Sequence, residues 1–134
     1  ARKVFHSLSG GSSQVKTIGL PLGMNVMGYS KGCLSKALEN SGKLVSETGW
    51  TNVFESKNWQ EISFHLNDDR IRMTLDYEAD LEFFCALASQ IYDYNKLNDA
   101  DLIKAIIERN LYEINSKVSA KYWRNFNFEQ NSQL

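Results

Sequence analysis

The amino-acid sequence predicts a single α/β domain over residues 1–128, in which helices pack on a mixed β-sheet. Apolar and polar residues alternate over residues 61–66 and 70–75, the period-2 pattern of half-buried strands. From residue 81 onward, apolar residues recur at helical intervals instead. Because strands and helices are interleaved without strict alternation, the pattern is typical of an α/β or α+β fold with a helical C-terminal part.

The first part of the chain is predicted to form three short strands and one helix. The strands are expected over residues 2–8, 14–18 and 24–27. Ser30 is suited to cap the helix that follows, because its hydroxyl can accept a hydrogen bond from a free backbone N–H. The apolar face of that helix comprises Leu34, Ala37 and Leu38.

The middle of the chain is predicted to pass from two strands into a helix. Residues 67–69 form a turn between the strands 61–66 and 70–75, which could pair as a hairpin. The apolar stripe of the helix comprises Leu81, Phe84, Cys85, Ala88 and Ile91. The position of Cys85 on this stripe predicts a reduced cysteine in the core.

The last third is predicted to be helical. Asn98 is expected to cap a helix whose first turn carries Asp99 and Asp101, since acidic residues are favoured at that end. Its buried face comprises Ile103, Ile106 and Ile107. A further helix is expected over residues 111–122, followed by a disordered polar tail over residues 129–134.

Composition and charge exclude some classes of function. The formal net charge is −1, so the chain as a whole is not built to coat nucleic acid or an anionic membrane. No apolar run approaches the roughly 20 residues of a membrane-spanning helix. Cys33 and Cys85 are far apart in the sequence, and reduced cysteines favour a cytoplasmic location.

Asp76 is the first candidate for chemistry, because it lies where the predicted strand gives way to the helix. The carboxyl ends of strands are where open α/β sheets hold ligands and metals, and Mg²⁺ takes carboxylate oxygens as ligands. The alternative is structural: Asp76 caps the helix, while Glu78 and Asp80 stabilise its positive end.

Two other groups of residues are weaker candidates. His65 faces away from the apolar side of its strand and has no partner typical of a catalytic triad. Near the C-terminus, Lys117, Lys121 and Arg124 fall on one helix face among aromatic residues, a combination that can bind single-stranded nucleic acid. The balanced net charge favours the alternative, a terminal helix whose aromatic side chains pack on the core and whose cations are solvated.

Two motifs carry a resemblance to a known family. Residues 72–82 read Arg-Met-Thr-Leu-Asp-Tyr-Glu-Ala-Asp-Leu-Glu, and residues 21–30 read Pro-Leu-Gly-Met-Asn-Val-Met-Gly-Tyr-Ser. Together they resemble sugar nucleotidyltransferases, most closely the cytidylyltransferases that make CMP-activated acidic sugars and their relatives in spore-coat polysaccharide biosynthesis. The resemblance covers about residues 18–95.

The resemblance implies a Rossmann-like nucleotidyltransferase fold and a Mg²⁺-assisted transfer of CMP from CTP to a sugar, with release of pyrophosphate. By this resemblance Asp76 is the catalytic, metal-binding carboxylate, and Asp80 is a residue of the helix start. The implied substrate-binding residues are Asn25, Thr51 and Arg72. A homodimer contact is expected around residues 21–29, with no membrane or nucleic-acid partner.

The family's Gly-rich nucleotide loop has no counterpart in this sequence. We therefore expect the chain to be the C-terminal half of a longer enzyme and to be inactive alone. The alternative is a non-catalytic α/β module that binds a protein partner or dimerises, because Asn25 and Met27 stand where the family has acidic residues.

Overall fold

The computed structural model describes residues 1–40, 54 and 59–132. They form an α/β protein that divides into two compact units. The first comprises residues 1–18, 25–64 and 125–134, and the second comprises residues 19–24 and 65–124. Thr51 lies outside the described residues.

The first unit contains a three-stranded mixed sheet. Its elements are α1 (Arg2–Ser9), β1 (Gln14–Ile18), β2 (Met27–Tyr29), α2 (Lys31–Asn40) and β3 (Gln60–Ser63). The strand order is β2-β1-β3, with β1 antiparallel to β2 and parallel to β3. The central strand is the most buried, since Val15 has no solvent exposure. The predicted strand 14–18 is confirmed, whereas the segments predicted at 24–27 and 61–66 are strands only over Met27–Tyr29 and Gln60–Ser63.

The prediction of a strand over residues 2–8 is wrong, because these residues form α1. Val4 is buried, and Leu8 follows it one helical turn later. Both side chains pack against β2 at Gly28, where an added Cβ would lie 2.5 Å from Val4 and 2.8 Å from Leu8. Residues four positions apart lie on the same face of a helix, but they also lie on the same face of a strand. Short apolar segments leave that choice open.

The second helix begins as the sequence predicts. The backbone N–H of Cys33 donates to Oγ of Ser30 at 3.2 Å, which is the expected N-cap bond. Ala37 is buried, but Leu38 is mostly exposed. Elsewhere in this unit, the Phe54 ring lies 5.0 Å from the Tyr29 ring and 5.6 Å from the Trp59 ring. These aromatic contacts extend the apolar core around the sheet.

The second unit is built around α3 (Glu78–Gln90), α4 (Asp99–Glu108) and the first part of α5 (Ser116–Ser132). Short 3₁₀ turns lie at Tyr94–Lys96 and Leu111–Glu113. Asn98 caps α4 as predicted, because its Oδ1 accepts from the backbone N–H of Asp101 at 2.9 Å. The helix predicted over residues 111–122 is instead a 3₁₀ turn followed by a separate helix, α5. α5 extends to Ser132, into the segment predicted to be a disordered tail. The core of this unit comprises Ile71, Phe83, Leu87, Ile91, Ile103, Ile106 and Leu111.

The prediction of a strand over residues 70–75 is wrong. The segment makes one isolated parallel bridge, from Arg72 to Leu22, and β3 pairs with β1 and not with this segment. Ile71 is buried as its alternation predicts, but so is Arg72, and Leu75 is exposed. Which side chains of this segment are buried is therefore set by a buried ion pair and not by a two-residue alternation.

The predicted apolar stripe of α3 is also displaced. The buried positions of the helix are Asp80, Phe83 and Leu87, while Leu81 and Cys85 are exposed. Cys85 is therefore a surface thiol, contrary to the core position predicted for it. The buried stripe includes a carboxylate, so hydrophobic periodicity alone selects the wrong face.

Candidate functional site

The site is centred on Arg72, whose guanidinium group is enclosed by the second unit. The backbone N–H of Met73 donates to the carbonyl of Leu22 at 2.8 Å, which fixes the segment that carries Arg72. The side chain is 1% exposed. An isolated buried cation would be strongly destabilising, so its hydrogen-bond partners determine the local structure.

Asp80 is the main partner of Arg72. Nε of Arg72 donates to Oδ1 of Asp80 at 3.0 Å, and Nη2 donates to Oδ2 at 3.1 Å. The Asp80 side chain has no solvent exposure. Two parallel charge-assisted bonds match the fork of the guanidinium to the two carboxylate oxygens, which fixes both position and orientation.

Asp80 also organises the start of α3. Its Oδ2 accepts from the backbone N–H groups of Asp76 at 3.0 Å and Tyr77 at 3.1 Å. The bond from Tyr77, the residue just before Glu78, is that of a capping box, in which the side chain at the third helical position accepts from the N-cap N–H. The predicted alternative, in which Asp76 caps the helix, is therefore wrong: Tyr77 is the N-cap residue and Asp80 accepts the bonds.

The pKa of Asp80 is lower than its usual value. Burial opposes its ionisation, but the hydrogen bonds from Arg72, the Asp76 backbone and Asn115 favour the carboxylate more strongly. Burial likewise opposes the charge on Arg72, and the bonds to Asp80 and Asp76 raise its pKa. The pair is therefore ionised and mutually compensated.

Asn115 joins this network from the segment before α5. Its Nδ2 donates to the backbone carbonyl of Arg72 at 3.0 Å and to Oδ1 of Asp80 at 2.9 Å. Asn115 is fully buried. No feature of the sequence around Asn115 predicts this role, since both partners lie far away in the chain.

Asp76 is the outward-facing member of the network. Its Oδ2 accepts from Nη2 of Arg72 at 2.7 Å, and its side chain is 50% exposed. No residue in the described ranges donates a hydrogen bond to its Oδ1. Asp76 thus has one oxygen held by a fixed cation and the other available to a ligand.

Two tyrosine rings lie beside the guanidinium group. Cζ of Arg72 is 4.3 Å from the ring centroid of Tyr122 and 5.4 Å from that of Tyr77. Nζ of Lys121 lies 5.3 Å from the Tyr77 centroid. Burial and the nearby charge of Asp76 raise the pKa of Tyr122. These contacts add cation–π attraction to the ion pairs and shield Arg72 from water.

The residues of this site can supply one ligand to a hard cation. Within residues 1–40, 54 and 59–132, no three His, Cys, Asp or Glu side chains form a group that could hold a metal ion. Mg²⁺ is nevertheless commonly held by one or two carboxylates together with waters and substrate phosphates. The free oxygen of Asp76 fits one such position, and the remaining ligands would have to come from phosphate and water.

Of the predicted site residues, the structure brings Arg72 and Asp76 together. Asn25 lies in the first unit, where it is exposed and Oγ1 of Thr17 donates to its Oδ1 at 3.4 Å. Glu78, in the first turn of α3, and His65 are exposed. The sequence assigned Asp80 only a place at the helix start, and it did not single out Asn115.

The basic residues Lys117, Lys121 and Arg124 are exposed along α5. Tyr122 packs against Arg72, while Trp123 is 47% exposed. The exposed cations agree with the interpretation of α5 as a terminal helix, whereas Trp123 departs from the prediction that its aromatic side chains pack on the core. No α-helix in the described part of the chain is long and apolar enough to cross a membrane.

The fold and the site define an α/β protein with a small mixed sheet and a buried arginine–aspartate–asparagine network that ends in one accessible carboxylate. Comparison of the chain with protein-family models, curated proteins and solved structures yields no match.

Proposed function

We propose that this chain belongs to a Rossmann-like, Mg²⁺-dependent cytidylyltransferase of the cytoplasm, which transfers CMP from CTP to a sugar with release of pyrophosphate. The observation that carries the proposal is the fixed and half-exposed carboxylate of Asp76. It stands within the motif of residues 72–82 that resembles these enzymes.

The geometry of Asp76 suits a ligand to a metal–nucleotide complex. Arg72 cannot rotate without breaking its two bonds to Asp80, so it holds one oxygen of Asp76 in a set position. A carboxylate fixed before substrate arrives needs little reorganisation on binding, which favours both affinity and rate. When bound, Mg²⁺ would screen the charge of the phosphates and orient them for in-line displacement.

The resemblance implies that Arg72 binds substrate, whereas the burial of its side chain favours a positioning role in this proposal. Its side chain is 1% exposed, and its charge is already opposed by two carboxylates. It therefore acts on the substrate through Asp76. The substrate-binding roles of Asn25 and Thr51, and a homodimer contact around residues 21–29, are carried by the resemblance alone.

The experiment is pyrophosphate release from CTP in the presence of Mg²⁺ and a panel of sugars. It uses the complete polypeptide of the reading frame, because the resemblance expects the nucleotide loop upstream of these residues. Asp76→Asn is expected to lower the rate by more than the about 10–100-fold that loss of an outer-shell partner costs. Glu78→Gln is the matched control, since it removes the same charge from an exposed residue two positions away.

If Asp76→Asn and Glu78→Gln change the rate of pyrophosphate release equally, Asp76 does not bind the metal. If the complete polypeptide releases no pyrophosphate from CTP with any sugar of the panel, the enzyme proposal as a whole is contradicted.

The second candidate is a non-catalytic module that binds a protein partner. It is favoured by the scarcity of carboxylates at the site, because no group of three potential metal ligands occurs among the described residues. In that case the Arg72–Asp80–Asn115 network serves stability alone. Titration calorimetry of the complete polypeptide with CTP and Mg²⁺ separates the two candidates, since the module should give no heat of binding.

A further inference from the structure

The strand β2 forms one edge of the sheet in the first unit, because the strand order is β2-β1-β3. The backbone N–H of Thr17 donates to the carbonyl of Val26 at 2.8 Å, and that of Ser30 donates to the carbonyl of Ser13 at 2.9 Å. Bonding direction alternates along an antiparallel strand. Met27 follows Val26 directly, so its N–H and carbonyl are directed away from β1.

These outward backbone groups are accessible at Met27. Its side chain is 46% exposed. No residue in the described ranges bonds to its N–H or carbonyl on the outer side. Such groups at a sheet edge are a template for a strand of another chain, and natural sheets commonly block them with proline or charged side chains. β2 contains neither.

A cavity of about 550 Å³ adjoins this edge. It is lined by Leu8 of α1 together with Asn25, Met27, Gly28 and Tyr29. Its walls are therefore the edge of the sheet and the end of the helix that packs on it. The cavity provides space for a chain segment next to the outward backbone groups of Met27.

The side of α1 beyond β2 carries an exposed aromatic residue, Phe5. Oγ of Ser7 donates to Oε1 of Gln60 in β3 at 2.7 Å, whereas Val4 and Leu8 pack on β2. Successive residues of an α-helix are rotated by about 100°. With Ser7 toward β3 and the two apolar residues toward the sheet, Phe5 faces the opposite side, beyond the β2 edge. It is 73% exposed, so it can contact an apolar side chain of a bound segment.

The charge beside this edge is positive. Residues 1–38 contain no aspartate or glutamate, and their basic residues are Arg2, Lys3, Lys16, Lys31 and Lys36. Among the described residues, only Lys16 of this set forms a salt bridge, with Glu61 at 3.0 Å. Arg2 lies on α1 and Lys31 follows β2 closely, and both are exposed. This charge favours an acidic segment and opposes the pairing of two copies of β2.

We infer that β2 binds an extended, acidic segment of a partner protein, which adds to the sheet as a strand beside Met27 and places an apolar side chain against Phe5. A peptide backbone supplies both the acceptor and the donor that the N–H and carbonyl of Met27 require. The inference stands on the first unit alone and does not require Asp76. If the second candidate function holds, it names the surface and the chemical class of the partner.

The test is selection from a displayed library of random short peptides, with the whole chain as the target. CTP and Mg²⁺ are left out, so that the result is independent of nucleotidyl transfer. We expect acidic peptides to be enriched over neutral and basic ones. A selected peptide should slow hydrogen exchange at the Met27 amide, and its affinity should fall as ionic strength rises, because salt screens the attraction.

Two variants address the edge and the aromatic contact separately. Met27→Pro removes the outward N–H without removing a bond to β1, and should lower the affinity for the peptide by about tenfold or more. The matched control is Ser63→Pro in β3, at the opposite edge. The N–H of Phe64 donates to the carbonyl of Ile18 at 2.8 Å, so Ser63 also directs its N–H away from β1, and the affinity should not change. Phe5→Ala should lower it by about tenfold.

The inference is overturned if the selected peptides show no excess of acidic residues, or if they bind without slowing exchange at Met27. It is overturned if Met27→Pro and Phe5→Ala, both shown by circular dichroism to be folded, retain full affinity. A chain that sediments as a dimer, with the Met27 amide already protected, would show that a second copy occupies β2 and would equally overturn it. So would a single-stranded oligonucleotide that displaces the selected peptides.

Discussion

Asp80 receives two hydrogen bonds from the guanidinium of Arg72, at 3.0 and 3.1 Å, and both side chains are withdrawn from solvent. The same carboxylate accepts hydrogen bonds from the backbone N–H groups of Asp76 and Tyr77, just before α3, and from the amide of Asn115. One buried acid thus connects the start of a helix, the segment at residue 72 and the segment before α5. The accessible carboxylate of Asp76 depends on this arrangement, because it is held by the same guanidinium.

The first prediction concerns the stability that this pair provides. Asp80→Asn removes the negative charge and leaves Arg72 buried with only the half-exposed Asp76 as its acid partner. Breaking a buried pair in this way typically costs about 3–5 kcal/mol of unfolding free energy. Urea denaturation followed by circular dichroism measures it.

The control for this prediction is a second aspartate–arginine pair. Arg70 donates to both oxygens of Asp68, but the Arg70 side chain is 53% exposed. Asp68→Asn should cost less, about 1 kcal/mol, because the charge of Arg70 is solvated although Asp68 is only 17% exposed. Equal losses for Asp68→Asn and Asp80→Asn would refute the special role of the buried pair.

The second prediction concerns how the free energy of unfolding changes at acidic pH. The pKa of Asp80 in the folded protein lies below its usual value of 3.8. The folded state therefore binds this proton less readily than the unfolded state, and the stability that results is complete above the unfolded pKa and is lost as pH falls through the folded pKa. The difference in unfolding free energy between the unmodified chain and Asp80→Asn should be constant from about pH 5 to 7 and should shrink below about pH 4. Denaturation curves at each pH test it, and a difference that grows in acid would contradict the assignment.

The third prediction compares two glycines. Gly23 has a φ of +88°, and an added Cβ would lie 2.3 Å from the carbonyl oxygen of Met73. Gly23→Ala should therefore destabilise the protein by more than the about 1–2 kcal/mol of the backbone strain alone. Gly32 lies in α2, and no described residue comes within 4 Å of a Cβ added to it, so Gly32→Ala should stabilise by roughly 0.5–1 kcal/mol. Thermal melting should show opposite shifts for the two variants, and a shift of the same sign in both would be inconsistent with these environments.

The sequence predicted best where the signal is local. The cap at Ser30 and the cap at Asn98 each rest on one side chain and the backbone within three residues, and both are confirmed. Ile103 and Ile106 are buried as their spacing predicts. Such features depend little on distant parts of the chain, so a single sequence is enough to find them.

The sequence predicted poorly where polar side chains are buried. Arg72 was predicted to alternate with the apolar residues of a strand and Asp80 to lie at a helix start, but both are buried, where neither the strand predicted over 70–75 nor the stripe predicted for α3 would place them. Burial of either is favourable only in the presence of the other and of Asn115, and no pattern within one segment reports that pairing. Asp76 was identified from its place just before a helix, and the helix does begin there. Its bond to Arg72 could be recognised only in the three-dimensional structure.

Asp76 is proposed to offer one oxygen to a divalent cation, and paramagnetic Mn²⁺ reports on such a site. In ¹H–¹⁵N spectra of the complete polypeptide with CTP, whose phosphates supply further ligands, bound Mn²⁺ broadens the signals of amides near its site. We expect selective broadening around residues 75–78, loss of that broadening in Asp76→Asn, and its retention in Glu78→Gln. Broadening that is absent around Asp76, or unchanged in Asp76→Asn, would show that Asp76 does not bind the cation.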